Sequence, residues 1–298
     1  MRPLRAAPAL TLALMLGPVL AGLAGTLAPA LGIFPALGGR SLSLEPARAL
    51  ADWPGLPRAI GLSVATGLAA TLIALGTVTL FTAGWAGTRG MALLERLLSP
   101  LLAVPHAAAA LGLAFLIAPS GWILRALSPW ATGWQRPPDL LILQDPMGLA
   151  MIAGLAVKEI PFLFLMTLAA LPQAAPARRL TIARALGYGR VTGWLKAVFP
   201  AVYAQIRLPV YAVLAYSMSV VDVAIVLGPA TPPPLSVQVV RWMSDPDLSL
   251  RFQAAAGAIL QLGLVLAVLG LWRLGELATA RLGRRWIEGG ARRLAEPL

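Results

Sequence analysis

Three charged residues stand where charge is costly. Lys158, Glu159 and Asp222 interrupt stretches that are otherwise apolar, and an ionised group at the centre of a bilayer costs ~2.5–3.5 kcal/mol on insertion scales. Two kinds of chemistry could repay that cost. The groups could line a path for a solute or ion, where Glu159 and Asp222 would favour a cation. Alternatively they could pair between helices and hold a gate, for instance Lys158 with Asp222, or Glu159 with a backbone donor. Lys158 and Glu159 are neighbours, so on a helix their side chains diverge by about 100° and address different partners. Pro161 comes two residues later and is expected to kink the helix. His106 is the one histidine and the chain has no cysteine. His106 therefore reads as a packed polar residue bonded to a neighbouring span, because a metal ligand would need company. With twelve carboxylates in 298 residues, no catalytic residue, no metal site and no cofactor of its own are expected in this chain.

Composition sets the helices that carry these groups. Hydrophobic residues make up 58% of the chain and charged residues 12%, against about a quarter charged in soluble proteins. Mean hydropathy is +0.79. A bilayer core of ~30 Å needs roughly 20 apolar helical residues to cross it. Six stretches qualify, at about residues 6–34, 59–83, 97–118, 147–171, 208–227 and 252–272. The expected fold is thus an all-α integral membrane protein of six transmembrane helices, with residues 1–298 as a single transmembrane domain. Arg2 and Arg5 before an apolar run also suit a signal peptide, but nothing from Ala6 to Gly39 is charged. That run exceeds a 7–15-residue leader core, so a span is expected.

Lys and Arg divide unevenly between the two sides. With the N-terminus placed inside, sixteen fall on the cytoplasmic side and seven outside, with Lys158 in the membrane. The positive-inside rule then puts both termini in the cytoplasm. The net charge of +12 stems from those loops. Anionic lipid attracts them at about 1 kcal/mol per residue, so membrane lipid is the expected partner and nucleic acid is not. Trp122, Trp130 and Trp134 cluster in the outer connection after the third stretch, where aromatic residues anchor to headgroups or offer a docking surface.

The connection at 176–205 is the most informative segment. It is long, helical in pattern and half apolar. Ala177, Leu180, Ala183, Arg184 and Gly187 fall on one helix face. Val191, Trp194, Leu195, Val198 and Phe199 then repeat at i, i+3, i+4, i+7 and i+8, an amphipathic stripe. Gly187 and Gly189 supply a sharp turn between the two segments, and Pro200 stops the second. Two short helices outside the membrane, apolar on one side, need something to pack against.

The run ARALG, with Gly187 followed thirteen residues later by Pro200, resembles the EAA loop of type I ABC importer permeases. Thr181 and Ile182 replace that motif's Glu and first Ala, while Ala183, Leu186, Gly187 and Pro200 match it. Pro105 in LLAVPHAAAALGLAFL is similar to the proline that such permeases carry in their third span. Tyr216, Ser219 and Asp222 in AVLAYSMSVVDVAIVLGP are similar to a conserved stretch of the fifth. The resemblance covers about residues 59–272, and its wording is most similar to the permeases of thiamine-type ABC importers, which as a departure are double-length chains.

The resemblance implies a MetI-like permease fold in a bacterial inner membrane and a role as half of a translocation pathway. It implies that Thr181, Ala183, Arg184, Leu186, Gly187, Trp194 and Pro200 engage a cytoplasmic ABC ATPase dimer, which binds the ATP. Pro105, Lys158, Glu159, Ser219 and Asp222 are then candidates for the pathway or its gate. A second permease, identical or paralogous, and an extracytoplasmic solute-binding protein complete the expected partners. The competing class is an ion- or proton-coupled secondary transporter relaying through Lys158, Glu159 and Asp222. Such carriers show paired repeats with broken helices, and no repeat is evident. A membrane enzyme is third, for want of converging reactive groups.

Overall fold

The computed structural model describes residues 2–288 and Gly290, with side chains from Pro8 onward. Arg2, Arg5, Arg292 and Arg293, which the charge bias counts as cytoplasmic, lie outside the described side chains. The chain is helical throughout, with no strand among the described residues. In order come α1 (Arg2–Ala30), α2 (Glu45–Ala51), α3 (Leu56–Trp85), α4 (Arg89–Leu98), α5 (His106–Ile117) and α6 (Trp122–Leu127). The second half holds α7 (Leu149–Ala170), α8 (Pro176–Ala185), α9 (Arg190–Ala197), α10 (Phe199–Ser219), α11 (Asp222–Leu227), α12 (Leu235–Met243) and α13 (Leu250–Glu288).

Five helices are long and apolar enough to cross a membrane: Pro8–Ala30, Leu56–Trp85, His106–Leu127, Leu149–Ala174 and Leu250–Glu288. A sixth is formed if α9 and α10, bent by 61° at Val198, count as one span. This is the all-α, multi-span architecture that composition called for. The bounds differ from the apolar runs where the backbone breaks. The stretch expected at 97–118 starts as the end of α4, passes through a 3-10 turn at Ser99–Ala103, and becomes a span at His106. Val104 is extended there because the residue before a proline is pushed out of the helical region. The stretch expected at 208–227 starts earlier, at Phe199. It ends at Ser219, where Val220 is extended and the Asp222 carboxylate accepts the Val223 N–H (2.9 Å), opening α11. The last helix runs past 272 to Glu288.

Local signals fix several ends. Thr88 caps α4 by accepting the Met91 N–H, the expected role of a short hydroxyl side chain before a helix. Asp145 does more for α7. Its carboxylate accepts the N–H groups of Met147, Leu149 and Ala150, satisfying donors that a helix start leaves open and placing negative charge at the positive end of the dipole. Inside α3, Thr66, Thr71 and Thr82 each donate to the carbonyl four residues back at 2.7–2.8 Å, so buried hydroxyls are satisfied within their own helix.

The chain divides into two compact units. One comprises residues 2–61 with Pro232–Leu264. Its centre is Trp53 against Trp242, edge to face with centroids 5.0 Å apart, beside buried Leu50 and Ala254–Ala256. Gln253 ties α13 to α2 by donating to the Ala49 carbonyl (3.1 Å). Before α13, hydrogen bonds from the Ser249 hydroxyl and N–H hold the Asp247 carboxyl below the usual carboxylate range. Along α1, side chains such as Leu10, Leu14, Met15 and Val19 are exposed, a surface suited to lipid rather than water.

The other unit comprises Leu62–Thr231 and the part of α13 from Val265. Its core joins Val78, Met91, Leu163 and Phe164 to Trp194, Val198, Val202, Ile206 and Val210. Small residues let its helices approach closely, as in membrane packing generally. A Cβ on Gly67 would lie 3.1 Å from the Met218 Cα, and one on Gly154 would strike Leu227. Gly67→Leu should therefore force α3 from α10 and cost about 1–3 kcal/mol. A lower melting temperature in detergent is the expected reading; an unchanged one would mean that the contact gives way freely.

Candidate functional site

Two constellations hold the residues singled out in the sequence. The first lies where α5, α7, α10 and α11 meet. Lys158 is buried, and its ammonium does not pair with Asp222, the arrangement offered as one possibility from sequence. It donates instead to the carbonyls of Leu101 (2.8 Å) and Val104 (2.6 Å). The Leu101 carbonyl also accepts the Val104 N–H (3.3 Å), while the Val104 carbonyl, before Pro105, stands at the end of the 3-10 turn, where a cation is favourable. Pro105 is thus the break that Lys158 spans. Glu159, one residue on, turns to a different neighbour: its Oε1 stands 3.5 Å from the His106 Nε2. His106 stacks on Tyr216 with centroids 4.6 Å apart, and the Asp222 carboxylate lies near enough to act on the Tyr216 hydroxyl electrostatically. His106 thus lies between Glu159 of one neighbouring span and Tyr216 of another. Ser219 faces away from this chemistry, since its hydroxyl donates to the Ala215 carbonyl (2.7 Å) in its own helix.

The second constellation is the α8–α9 pair. At the end of α8 the Gly187 N–H bonds the Arg184 carbonyl (2.9 Å) and the Tyr188 N–H bonds the Ala183 carbonyl (3.0 Å). Gly187 has φ +82°, a left-handed conformation that glycine adopts without a Cβ penalty. Gly193 then lets the two helices touch: a Cβ there would stand 3.1 Å from that of Ala183. α9 is enclosed on nearly every side, with Thr192, Gly193, Trp194 and Lys196 all buried. The expected one-sided stripe is therefore a helix set into the core, centred on Trp194. Pro200 opens α10 rather than merely closing α9. On α8 the inner Ala183 is buried, while Arg178, Thr181, Ile182, Arg184 and Leu186 are exposed. Three side chains pin the pair in place. Arg179 donates to the Ala197 carbonyl (2.8 Å) and Arg190 to that of Ala86 (2.8 Å). Lys196 donates to the Trp286 carbonyl (3.0 Å) and sits over the rings of Tyr188 and Trp286.

A third cluster was not singled out in the sequence. Glu276 on α13 accepts the hydroxyls of Tyr203 (2.6 Å) and Tyr211 (2.9 Å) and a guanidinium N–H of Arg273 (2.7 Å). Arg207 stands 3.4 Å away on the same carboxylate, and the Trp272 indole donates to Tyr203 (3.0 Å). The signal available was a lone Glu in the basic stretch RLGELATAR. Its partners on α10 lie some seventy residues earlier, beyond the reach of periodicity.

Among the described residues no group of three or more His, Cys, Asp or Glu could hold a metal ion. What fold and site define together is a multi-span helical membrane protein with a buried polar cluster between spans and a short helical pair set beside its core. Similarity to a known protein carries this one step further. Over 271 residues, 86% of this chain, it is 31% identical to the inner membrane ABC transporter permease protein YnjC of Escherichia coli (strain K12). The alignment takes in 49% of that protein, so the chain spans about half the length of the curated relative it matches. No family model matches the chain.

Proposed function

We propose that this chain is the membrane-spanning permease subunit of an ATP-driven ABC importer. It would sit in a bacterial inner membrane with both termini in the cytoplasm and contribute half of a translocation pathway. The observation that carries this is the α8–α9 pair. Its outer face is exposed, its inner helix is built into the core, and it continues through a 61° bend into α10. A push on α8 is transmitted to a spanning helix through packed side chains rather than a loose loop. The relationship to a permease supports the same reading. A cytoplasmic ATPase dimer would dock on α8, a second permease copy or a paralogue would complete the pathway, and an extracytoplasmic binding protein would deliver the solute.

Thr181, Ala183, Arg184, Leu186, Gly187, Trp194 and Pro200 then act in coupling, and Pro105, Lys158, Glu159, Ser219 and Asp222 in the pathway or its gate. The carboxylates Glu159 and Asp222 suit a small cationic solute, of which thiamine is the candidate that the wording of the spans suggests. Lys158 is committed to two carbonyls, which supports a gate-holding role over the proton relay that a secondary transporter would need.

Gly187→Val tests the coupling role. Valine at φ +82° is strained by about 1–3 kcal/mol, and the strain falls on the turn rather than the core. The expected outcome is a chain that inserts and assembles normally while solute-stimulated ATP hydrolysis and uptake fall about tenfold, the effect of ~1.4 kcal/mol. Full stimulation in a stable Gly187→Val protein would defeat the coupling assignment.

A further inference from the structure

We infer that the partner surface receiving α8 is acidic, with carboxylates placed against Arg178 and Arg184; this rests on the docking role proposed above. Between Glu159 and Asp222 the chain has no Asp or Glu, while Arg178, Arg179, Arg184, Arg190, Lys196 and Arg207 all fall within that interval. The six cations divide by use. Arg179, Arg190 and Lys196 donate to main-chain carbonyls of this chain, and Arg207 pairs with Glu276. Arg178 and Arg184 are exposed and have no ion-pair or hydrogen-bond partner among the described residues.

Their placement on α8 is specific. Arg178, Thr181, Ile182 and Ala185 are all exposed and have the i, i+3, i+4, i+7 spacing of one face, with Arg184 on its flank. Ile182 is 53% exposed and Leu186 54%, which gives the same surface an apolar anchor. Thr181, where the EAA motif has Glu, bonds back to the Ala177 carbonyl (3.0 Å) and presents no charge. A docking groove built for a carboxylate would therefore meet guanidinium groups here, and like charges across an interface suppress binding. The complementary groove has an apolar floor for Ile182 and Leu186 and carboxylates at its sides, which arginine grips in a bidentate fork. An anionic lipid surface is the weaker fit. A helix lying on a membrane shows a continuous apolar face with Trp, Phe or Leu, and the outer face of α8 has Arg, Thr and Ala around Ile182, with Leu186 just past its end.

The test uses the full chain purified in mild detergent with the ATPase that accompanies it. Arg178→Glu/Arg184→Glu is compared with wild type, Arg178→Gln/Arg184→Gln and Arg178→Lys/Arg184→Lys. Retention of the ATPase should fall about tenfold for the Glu pair, about threefold for the Gln pair and no more than about twofold for the Lys pair. Wild-type retention should also weaken from about 0.1 M to 1 M NaCl, as the screening length contracts from ~10 Å to ~3 Å. Retention within twofold of wild type by a Glu or Gln pair that elutes and melts normally overturns the inference and leaves the docking role standing. Loss confined to bilayers containing anionic lipid, with retention intact in detergent, also overturns it, because the arginines would then serve the membrane. A wild-type chain that carries no ATPase removes the docking role itself, and the inference with it.

Discussion

Glu276→Ala lowers the stability of the detergent-solubilised protein by about 3 kcal/mol, seen as a marked fall in melting temperature. That is the lower end of the ~3–5 kcal/mol lost when one member of a buried ion pair is removed. The lower end applies because Arg207 and Arg273 are each more than a third exposed, whereas the Glu276 side chain is 8% exposed, so water can take up part of the arginines' charge. The tyrosines have less recourse. Tyr203 and Tyr211 both lose their acceptor, and the Trp272–Tyr203 hydrogen bond loses the carboxylate that anchors it. Glu276→Gln keeps an acceptor oxygen and the side-chain volume, so it should cost about half as much. Arg273→Ala removes only an i, i+3 partner at the surface and should cost no more than about 1 kcal/mol. The ordering Ala, Gln, then Arg273→Ala is the measurement that matters, because it separates a buried clamp between α10 and α13 from a set of surface contacts. Equal melting of Glu276→Ala and wild type would show that packing alone joins these helices.

That clamp marks the limit of what the sequence made legible. The spans were readable because lipid imposes one strong rule, a run of about 20 apolar residues, and the long runs of this chain became helices. The α8–α9 turn was readable too, since Gly187 is the residue type that a left-handed helix end requires. Breaks inside apolar runs were harder. Residues 97–105 are as apolar as α5 itself, so hydropathy joined them to that helix, although Pro105 already signalled a helix end. The separation of α11 from α10 left even less trace, because valines at 220 and 221 suit a helix in lipid as well as an extended corner. Partners were the least legible. A helical wheel gives the face of Lys158 but not what stands opposite. A neighbouring span that stops short offers carbonyl oxygens as readily as another offers a carboxylate. Trp194 shows the same limit from the apolar side. Its periodicity placed it on a stripe, and only the packing shows the stripe closed over by α3, α4 and α7.

Lys158→Met separates a structural cation from a working one. Methionine matches the length and apolar stem of lysine, so packing in α7 is largely kept, but the carbonyls of Leu101 and Val104 lose the ammonium. A buried acceptor left unsatisfied costs about 1–3 kcal/mol; the Leu101 carbonyl keeps the Val104 N–H, so the cost falls on the Val104 carbonyl. Glu159 also loses an adjacent positive charge and is left, buried, facing the His106 imidazole. The expected result is a loss of about 3–5 kcal/mol, read as low yield and early melting, with the break before α5 no longer held against α7. Lys158→Arg retains donors that reach the same carbonyls and should recover most of the yield. The contrast with transport is decisive. If Lys158 holds the break, whatever Lys158→Met protein survives purification moves solute at a rate per molecule within a few-fold of wild type. If Lys158 instead relayed an ion or proton, the variant would be made in normal amounts and would not transport at all. The two short bonds to the end of the 3-10 turn favour the first outcome, because two of the three ammonium N–H groups are held by fixed carbonyls of this chain.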